Sequence, residues 1–214
     1  MVRDAWSFVI PLTAAAALLL GAYVALGHSV LGIAGTLILV LTAFIAYFFR
    51  DPDRVTPPGD GLVVSAGDGR VVEVKNLEGG PEVGGGGFQV SVFLSIFDVH
   101  VNRIPIAGRV LDVVHQPGKF RLAFVPAASE ENEQTIVRLE TESGIVIVKQ
   151  IAGYVARRIV CHLRAGDSVQ TGNRYGLIKF GSRIDHILPR DADIRVNVGD
   201  RVRAGETVIG VLPQ

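Results

Sequence analysis

The sequence predicts a mostly β domain, sandwich or barrel-like with hammerhead units, preceded by an N-terminal helical hairpin that spans a membrane or dips into it. Three observations carry that prediction. Two uncharged runs, 5–26 and 30–49, are separated only by Gly27-His28-Ser29, and each has the roughly 20 apolar residues a helix needs to cross a bilayer core. Beyond residue 60, apolar residues fall in short runs with turn signals every 8–15 residues, and no helical period outlasts a turn or two. Finally, "AGDSVQTGNRYGLI" (165–178) and "VGDRVRAGETVIGVL" (198–212) share G-D-x-V-x-x-G at an offset of 33 residues. In that pattern Gly-Asp makes a tight turn, Val packs inward and the second Gly makes the next turn.

The apolar runs explain a chain that is 49% hydrophobic with a mean hydropathy of +0.38. They are too long for a secretory signal, and no small-residue cleavage site precedes a polar mature start. Arg3 lies before the first run, and Arg50 and Arg54 follow the second. Positive flanks stay in the cytoplasm, so a hairpin leaves everything after residue 50 on the cytoplasmic side of the membrane. Trp6, Tyr23, Tyr47, Phe48 and Phe49 sit near the run ends, where aromatic belts occur. The single cysteine, Cys161, offers no disulfide framework for an exported domain. Basic and acidic residues balance at 21 each without a dense basic run, so no nucleic-acid partner is expected.

The domain organisation follows as a membrane anchor over 1–50, a proline-rich linker over 51–60 (DPDRVTPPGD) and one soluble domain over 61–214. Strands are expected at 62–65, 70–75, 88–94, 108–114, 136–139, 145–151 and 159–162. Residues 76–87, NLEGGPEVGGGG, read as a mobile loop, and 127–134 as a polar, acidic one.

Hammerhead units also occur in carrier domains, efflux adaptors and zinc endopeptidases, so they report architecture rather than activity. A zinc site needs closely spaced ligands; His100, His115 and His162 lack that spacing, and no metal is expected. A carrier domain needs a lysine at a hairpin tip, whereas Lys179 lies between Ile178 and Phe180 in a strand-like run. Two segments remain. "FLSIFDVHVNRIPIAG" (93–108) ends an apolar strand in Asp98, His100, Asn102 and Arg103. It reads either as a solvated loop with Asp98 as a turn residue, or as an active-site segment holding an imidazole beside an anion-binding guanidinium. "GLIKFGSRIDHILP" (176–189) interrupts a strand with Gly181-Ser182. Glycine weakens a strand and marks a bulge or a close approach. A serine hydroxyl there can attack the preceding carbonyl, and the acyl shift followed by β-elimination leaves residue 182 as a pyruvoyl group.

These pieces resemble the phosphatidylserine decarboxylases, in their short membrane-tethered bacterial form. The resemblance runs from about residue 55 to the C-terminus through SAGDGR (65–70), FLSIFDVHVNRIP (93–105), SEENEQTIV (129–137), QIAGYVARRIV (150–160) and YGLIKFGSRIDHILP (175–189). It implies self-cleavage between Gly181 and Ser182 into a β chain, 1–181, and an α chain, 182–214, held together as a heterodimer, with a homo-oligomer left open. It also implies a covalent pyruvoyl cofactor from Ser182. That group forms a Schiff base with phosphatidylserine in the inner membrane, and CO2 is released to give phosphatidylethanolamine. His100 and Asp68 match the family's catalytic histidine and aspartate, and Arg103 and Asn102 are candidate substrate-binding residues. Longer members carry D-x-H-x-x-H, where this chain has Arg103 in place of the second histidine, and arginine cannot act as a base. His100, or His186 on the Ser182 face of its strand by two-residue alternation, is the candidate replacement. The rival reading is a noncatalytic membrane-anchored adaptor built on the hammerhead units.

Overall fold

The computed structural model describes residues 2, 5–79, 86–123, 125, 127–154, 158–179 and 182–213. Arg3, Phe180, Gly181 and the centre of the glycine-rich loop therefore lie outside the described residues. The chain divides into two compact units, Met1–Pro52 and Asp53–Gln214.

The first unit is a helical hairpin, α1 Trp6–Leu26 and α2 Ser29–Phe48. Gly27 ends α1 in the left-handed region at φ +72, and its N–H bonds the Tyr23 carbonyl. The helices run close because α2 presents glycine to α1: a Cβ on Gly35 would lie 2.8 Å from Leu20 Cγ, and one on Gly32 3.0 Å from the Tyr23 ring. The Thr13, Thr36 and Thr42 hydroxyls donate to carbonyls four residues back, which hides their polarity within the helix. Both helices are long and apolar enough to cross a membrane.

The second unit is β-rich. Its strands are β1 Leu62–Val64, β2 Gly69–Leu77, β3 Gly87–Leu94, β4 Val101–Arg103, β5 Gly108–Gln116, β6 Gln134–Thr141, β7 Gly144–Ala152, β8 Ile159–Cys161, β9 Ser168–Val169, β10 Arg174–Ile178, β11 Ser182–Pro189, β12 Asp193–Ile194, β13 Arg201–Val202 and β14 Val208–Val211, with one helical turn, α3 Ala128–Glu131. The large sheet, in the order β13-β2-β3-β11-β7-β6-β5-β9, is antiparallel throughout and curls into a half-barrel. Two three-stranded sheets, β4-β10-β8 and β1-β14-β12, accompany it. Alternation puts Val90, Val92 and Leu94 of β3, Ile184 and Leu188 of β11, and Val146, Val148 and Ala152 of β7 into one core. The opposite face buries a smaller cluster of Ile136, Ile147 and Ile187.

The internal echo is structural as well as sequential. Gly166 N–H donates to the Val110 carbonyl and Val110 N–H to the Asp167 carbonyl; Gly199, Val71 and Asp200 repeat both bonds. In each copy the aspartate also accepts the N–H three residues before it, from Arg164 and Asn197. The short strands β9 and β13 thereby close the two opposite edges of the large sheet, covering backbone groups that would otherwise template pairing with other chains. The second glycine of each copy, Gly172 and Gly205, is left-handed at φ +83 and +76.

All seven expected strands are present, within three residues at each end. The polar loop at 127–134 differs: Ala128–Glu131 forms a helical turn, and Ser129 and Asn132 are buried. Asn132 ties this turn down by donating to the Arg121 and Ala152 carbonyls and accepting the Arg121 N–H.

Gly199 and Gly205 test the echo. Alanine at Gly199 meets nothing within 4 Å, so it carries only the left-handed backbone penalty of about 1 kcal/mol. Alanine at Gly205 adds a contact of 2.8 Å with Cδ of Arg103, a buried side chain, and overpacking adds about 1–3 kcal/mol. Thermal unfolding should therefore rank Gly205→Ala below Gly199→Ala; equal melting temperatures contradict a rigid Arg103 wedge.

Candidate active site

The Gly-Ser interruption is a change of sheet. β10 pairs with β4 and β8 in a small sheet, whereas β11, starting four residues after Ile178, pairs with β3 and β7 in the large one. Ser182 is the first residue of β11, opposite Leu94 on one side and Ala152 on the other. Its side chain is fully buried on the core face, and its hydroxyl has no hydrogen-bond partner among the described residues. Gly181 lies outside the described residues.

The His100 carbonyl accepts Ile178 N–H at 3.3 Å, which ties the backbone of residue 100 to the end of β10. The ring is buried and its Nδ1 lies 3.0 Å from the Asp98 carbonyl. A carbonyl only accepts, so Nδ1 carries the hydrogen and Nε2 is the basic nitrogen of the neutral ring. Asp98 is the turn residue: its carboxylate accepts the Ser95 N–H and hydroxyl at 2.9 and 2.6 Å.

Alternation along β4 separates the other two candidates. Arg103 points toward the echo units, where Nη1 donates to the Gly172 carbonyl at 2.9 Å. Asn102 faces the large sheet and accepts Gln150 Nε2 at 2.8 Å. Asp68 belongs to the 65–68 turn, whose Ala66 carbonyl accepts Arg103 N–H at 2.9 Å. Its carboxylate accepts Ala204 N–H at 2.8 Å and Arg54 at 2.7 Å, and Arg54 also pairs with Glu206. Burial pushes the Asp68 pKa up, against the pull of the Ala204 bond and the Arg54 charge.

His186 shares the Ser182 face but has both nitrogens occupied. Nε2 accepts Ala66 N–H at 2.8 Å and Nδ1 donates to the Val90 carbonyl at 3.1 Å. Complete burial lowers its pKa to about 4. The ring is a neutral fastener between β11, β3 and the 65–68 turn, with no lone pair left to take a proton from Ser182.

Gln150 is the site residue that the sequence reading passed over. It lies opposite Ile184, hence diagonal to Ser182 on the same face, and is fully buried. Its signal was available: it occupies the inward phase of a strand whose other inward positions are Val146, Val148 and Ala152, and a buried polar side chain needs a reason. The Arg54–Asp68 pair had no such signal, because fourteen residues of non-periodic chain separate the partners.

The face opposite Ser182 carries a buried charge network. Arg183 donates to Asp185 at 2.6 Å, to Ser91 at 2.7 Å and to Glu73, and Asp185 also accepts from Ser129 and Gln89.

A family model described as phosphatidylserine decarboxylase matches residues 41–210. The chain is 47% identical over 213 residues to the phosphatidylserine decarboxylase proenzyme of Symbiobacterium thermophilum, covering 99% of this chain and 95% of that one. It is 46% identical over 176 residues to the proenzyme of Geotalea uraniireducens, covering 82% of each. To the proenzyme of Geobacter sp. (strain M21) it is 45% identical over 214 residues, covering 98% and 95%.

The assignment of His186 as a fastener predicts a pH dependence. Its folded pKa, about 4, lies below the roughly 6.5 of an unfolded histidine, so the unfolded chain protonates first as pH falls. The contribution is whole above about pH 6.5 and is lost progressively toward pH 4, on the order of 3 kcal/mol in all. His186→Gln does not titrate in that window. The stability gap between wild type and His186→Gln, measured by denaturant unfolding, should shrink from pH 7 to pH 4; a constant gap contradicts a neutral buried ring.

Proposed function

The chain belongs to the phosphatidylserine decarboxylase family, and on that premise we propose that it is a proenzyme that cuts itself between Gly181 and Ser182 and then decarboxylates phosphatidylserine at a membrane surface. The observation that carries the proposal is the Ser182 hydroxyl, buried and unpartnered where the chain passes from one sheet to another. A buried hydroxyl without a partner is costly, and an attack on the adjoining carbonyl gives it a use. Ser182 Oγ adds to the Gly181 carbonyl carbon and the peptide C–N bond breaks, giving an ester. Loss of the Cα proton expels Gly181 as a carboxylate and leaves a dehydroalanine at 182, which takes up water and releases ammonia.

Residue 182 fits the resulting group, because its side-chain position is enclosed on the core face, diagonal to Gln150, which in turn bonds Asn102. The pyruvoyl group supplies a carbonyl that condenses with the substrate amine and draws electrons as CO2 leaves. His100 is proposed to return a proton to the substrate carbon, since a positioned imidazole is a common general acid for such a transfer. Pairing on both sides keeps residue 182 in place after the cut. The two apolar helices hold the protein at the membrane, and Arg50 and Arg54 favour a cytoplasmic domain on the inner membrane. Asp68 and Arg103 belong to this reading as supports: Asp68 clamps the 65–68 turn through Arg54 and Ala204, and Arg103 fixes β4 against Gly172.

Two variants test the proposal. Ser182→Ala supplies neither the nucleophile nor the carbonyl, so intact-mass analysis should find one 22.9 kDa chain and no CO2 release; cleavage at 181/182 in this variant refutes it. His100→Ala should still be cut but lose about 10²–10⁴ in turnover, measured as CO2 released per pyruvoyl chain. Accumulation of uncut His100→Ala instead makes His100 the base of self-cleavage.

A further inference from the structure

Among the described residues, three fully buried residues linked to one another carry polar atoms without partners: Ser182 Oγ, Gln150 Oε1 on the residue diagonal to it, and Asn102 Nδ2 on the residue bonded to Gln150. The hydrogen-bond network sets the direction of both amides. The Val160 carbonyl can only accept, so Gln150 must turn Nε2 toward it, at 3.3 Å. The same Nε2 donates to Asn102, which must present its oxygen. What remains is an N–H donor on Asn102 and a carbonyl acceptor on Gln150, on two bonded carboxamides of which Gln150 is diagonal to residue 182.

From this arrangement we propose that Asn102 and Gln150 form an amino-acid headgroup clamp, Asn102 Nδ2 donating to the substrate carboxylate and Gln150 Oε1 accepting from its amine. The inference rests on the decarboxylase reading and assigns the two charged ends of that substrate. A zwitterionic α-amino acid carries both complements on one carbon, so a single headgroup satisfies both orphaned atoms. Once the ammonium has given up one proton, accepting a second N–H from the amine leaves its lone pair available to residue 182. Gly176 makes the clamp possible: a Cβ there would lie 2.1 Å from the Val160 carbonyl and 3.0 Å from Gln150 Nε2. In the uncut chain the crevice is closed, with Ser182, Asn102 and Gln150 all fully buried. Breaking the 181–182 bond is the event that admits a ligand, so the uncut chain does not bind the headgroup.

Full-length protein in mixed micelles tests the clamp, with phosphatidylserine as substrate and phosphatidylethanolamine, which has the amine but no carboxylate, as competitor. Asn102→Asp keeps the acceptor for Gln150 and replaces only the donor. It should raise KM for phosphatidylserine about tenfold or more, the worth of one charge-assisted hydrogen bond, while inhibition by phosphatidylethanolamine stays within about twofold. Gln150→Met should weaken both lipids together, because both carry the amine. If Asn102→Asp shifts both lipids equally or neither, or if it accumulates uncut, the assignment is overturned. Should that variant fail to fold, Asn102→Ala must still separate the two lipids, and equal loss overturns the clamp. A wild-type protein that is cut but releases no CO2 from phosphatidylserine sinks the decarboxylase reading itself, an outcome distinct from any of these.

Discussion

The two-sided pairing of β11 is the constraint on which the rest of the structure depends. It is bonded to β3 over Ser182–Pro189 and to β7 over Ser182–Ile187, so its first residue is held as firmly as its middle. A chain terminus ordinarily frays. In the proposed proenzyme residue 182 becomes a terminus, and the fragment 182–214 keeps its place only through non-covalent contacts. Those contacts are unusually specific. Burying the Arg183 guanidinium costs several kcal/mol, offset only while Asp185, Glu73 and Ser91 all accept from it. A slip of one residue would turn Arg183 into the apolar core and Ser182 out of it. The ion network therefore fixes the register of the strand whose first residue is proposed to do the chemistry.

The two faces of β11 divide the electrostatics. Charges collect on the face with Arg183, Asp185 and Glu73, and at the margin with Arg54 and Asp68. The Ser182 face holds neutral groups: a hydroxyl, two carboxamides and a histidine kept uncharged by burial. This separation explains why His186, close to the serine in sequence and on its face, does not serve as a base. Its two nitrogens complete backbone hydrogen bonds that would otherwise be lost inside the core.

Much of the fold was legible in the sequence because its signals are local. Alternating apolar residues bounded by glycine gave the strands, charge-free length gave the helices, and G-D-x-V-x-x-G gave two turns whose hydrogen bonds prove to be equivalent. Non-local facts were not legible. β4 is three residues, Val-Asn-Arg, and becomes a strand only because β10 pairs with it. Residues 176–189 read as one interrupted strand, and nothing in the local pattern says that the halves join different sheets. Within the candidate site, the dipeptide singled out Ser182 and the polar cluster singled out His100, and both roles are proposals. The partition of Asn102 from Arg103 follows from the phase of β4, which cannot be read before the strand is known. Residues 53–60, read as linker, pack with the second unit, and Arg54 reaches Asp68.

A neutral crevice also bears on the chemistry proposed for it. A carboxylate is stabilised by water far more than CO2 is, so its loss is favoured where water is excluded and no cation compensates the charge. Arg103 is the guanidinium nearest in sequence to His100, and it is turned away to the Gly172 carbonyl; the cations Arg183 and Arg54 are committed to carboxylates elsewhere. A strong ion pair to the substrate carboxylate would stabilise the ground state most and oppose its departure. One amide donor positions the group without that cost. The hydroxyl attack is helped as well, because Ser182 Oγ has no settled hydrogen bond to give up among the described residues. In the proposed proenzyme, one set of uncharged side chains thus serves both the cut that opens the crevice and the reaction that follows in it.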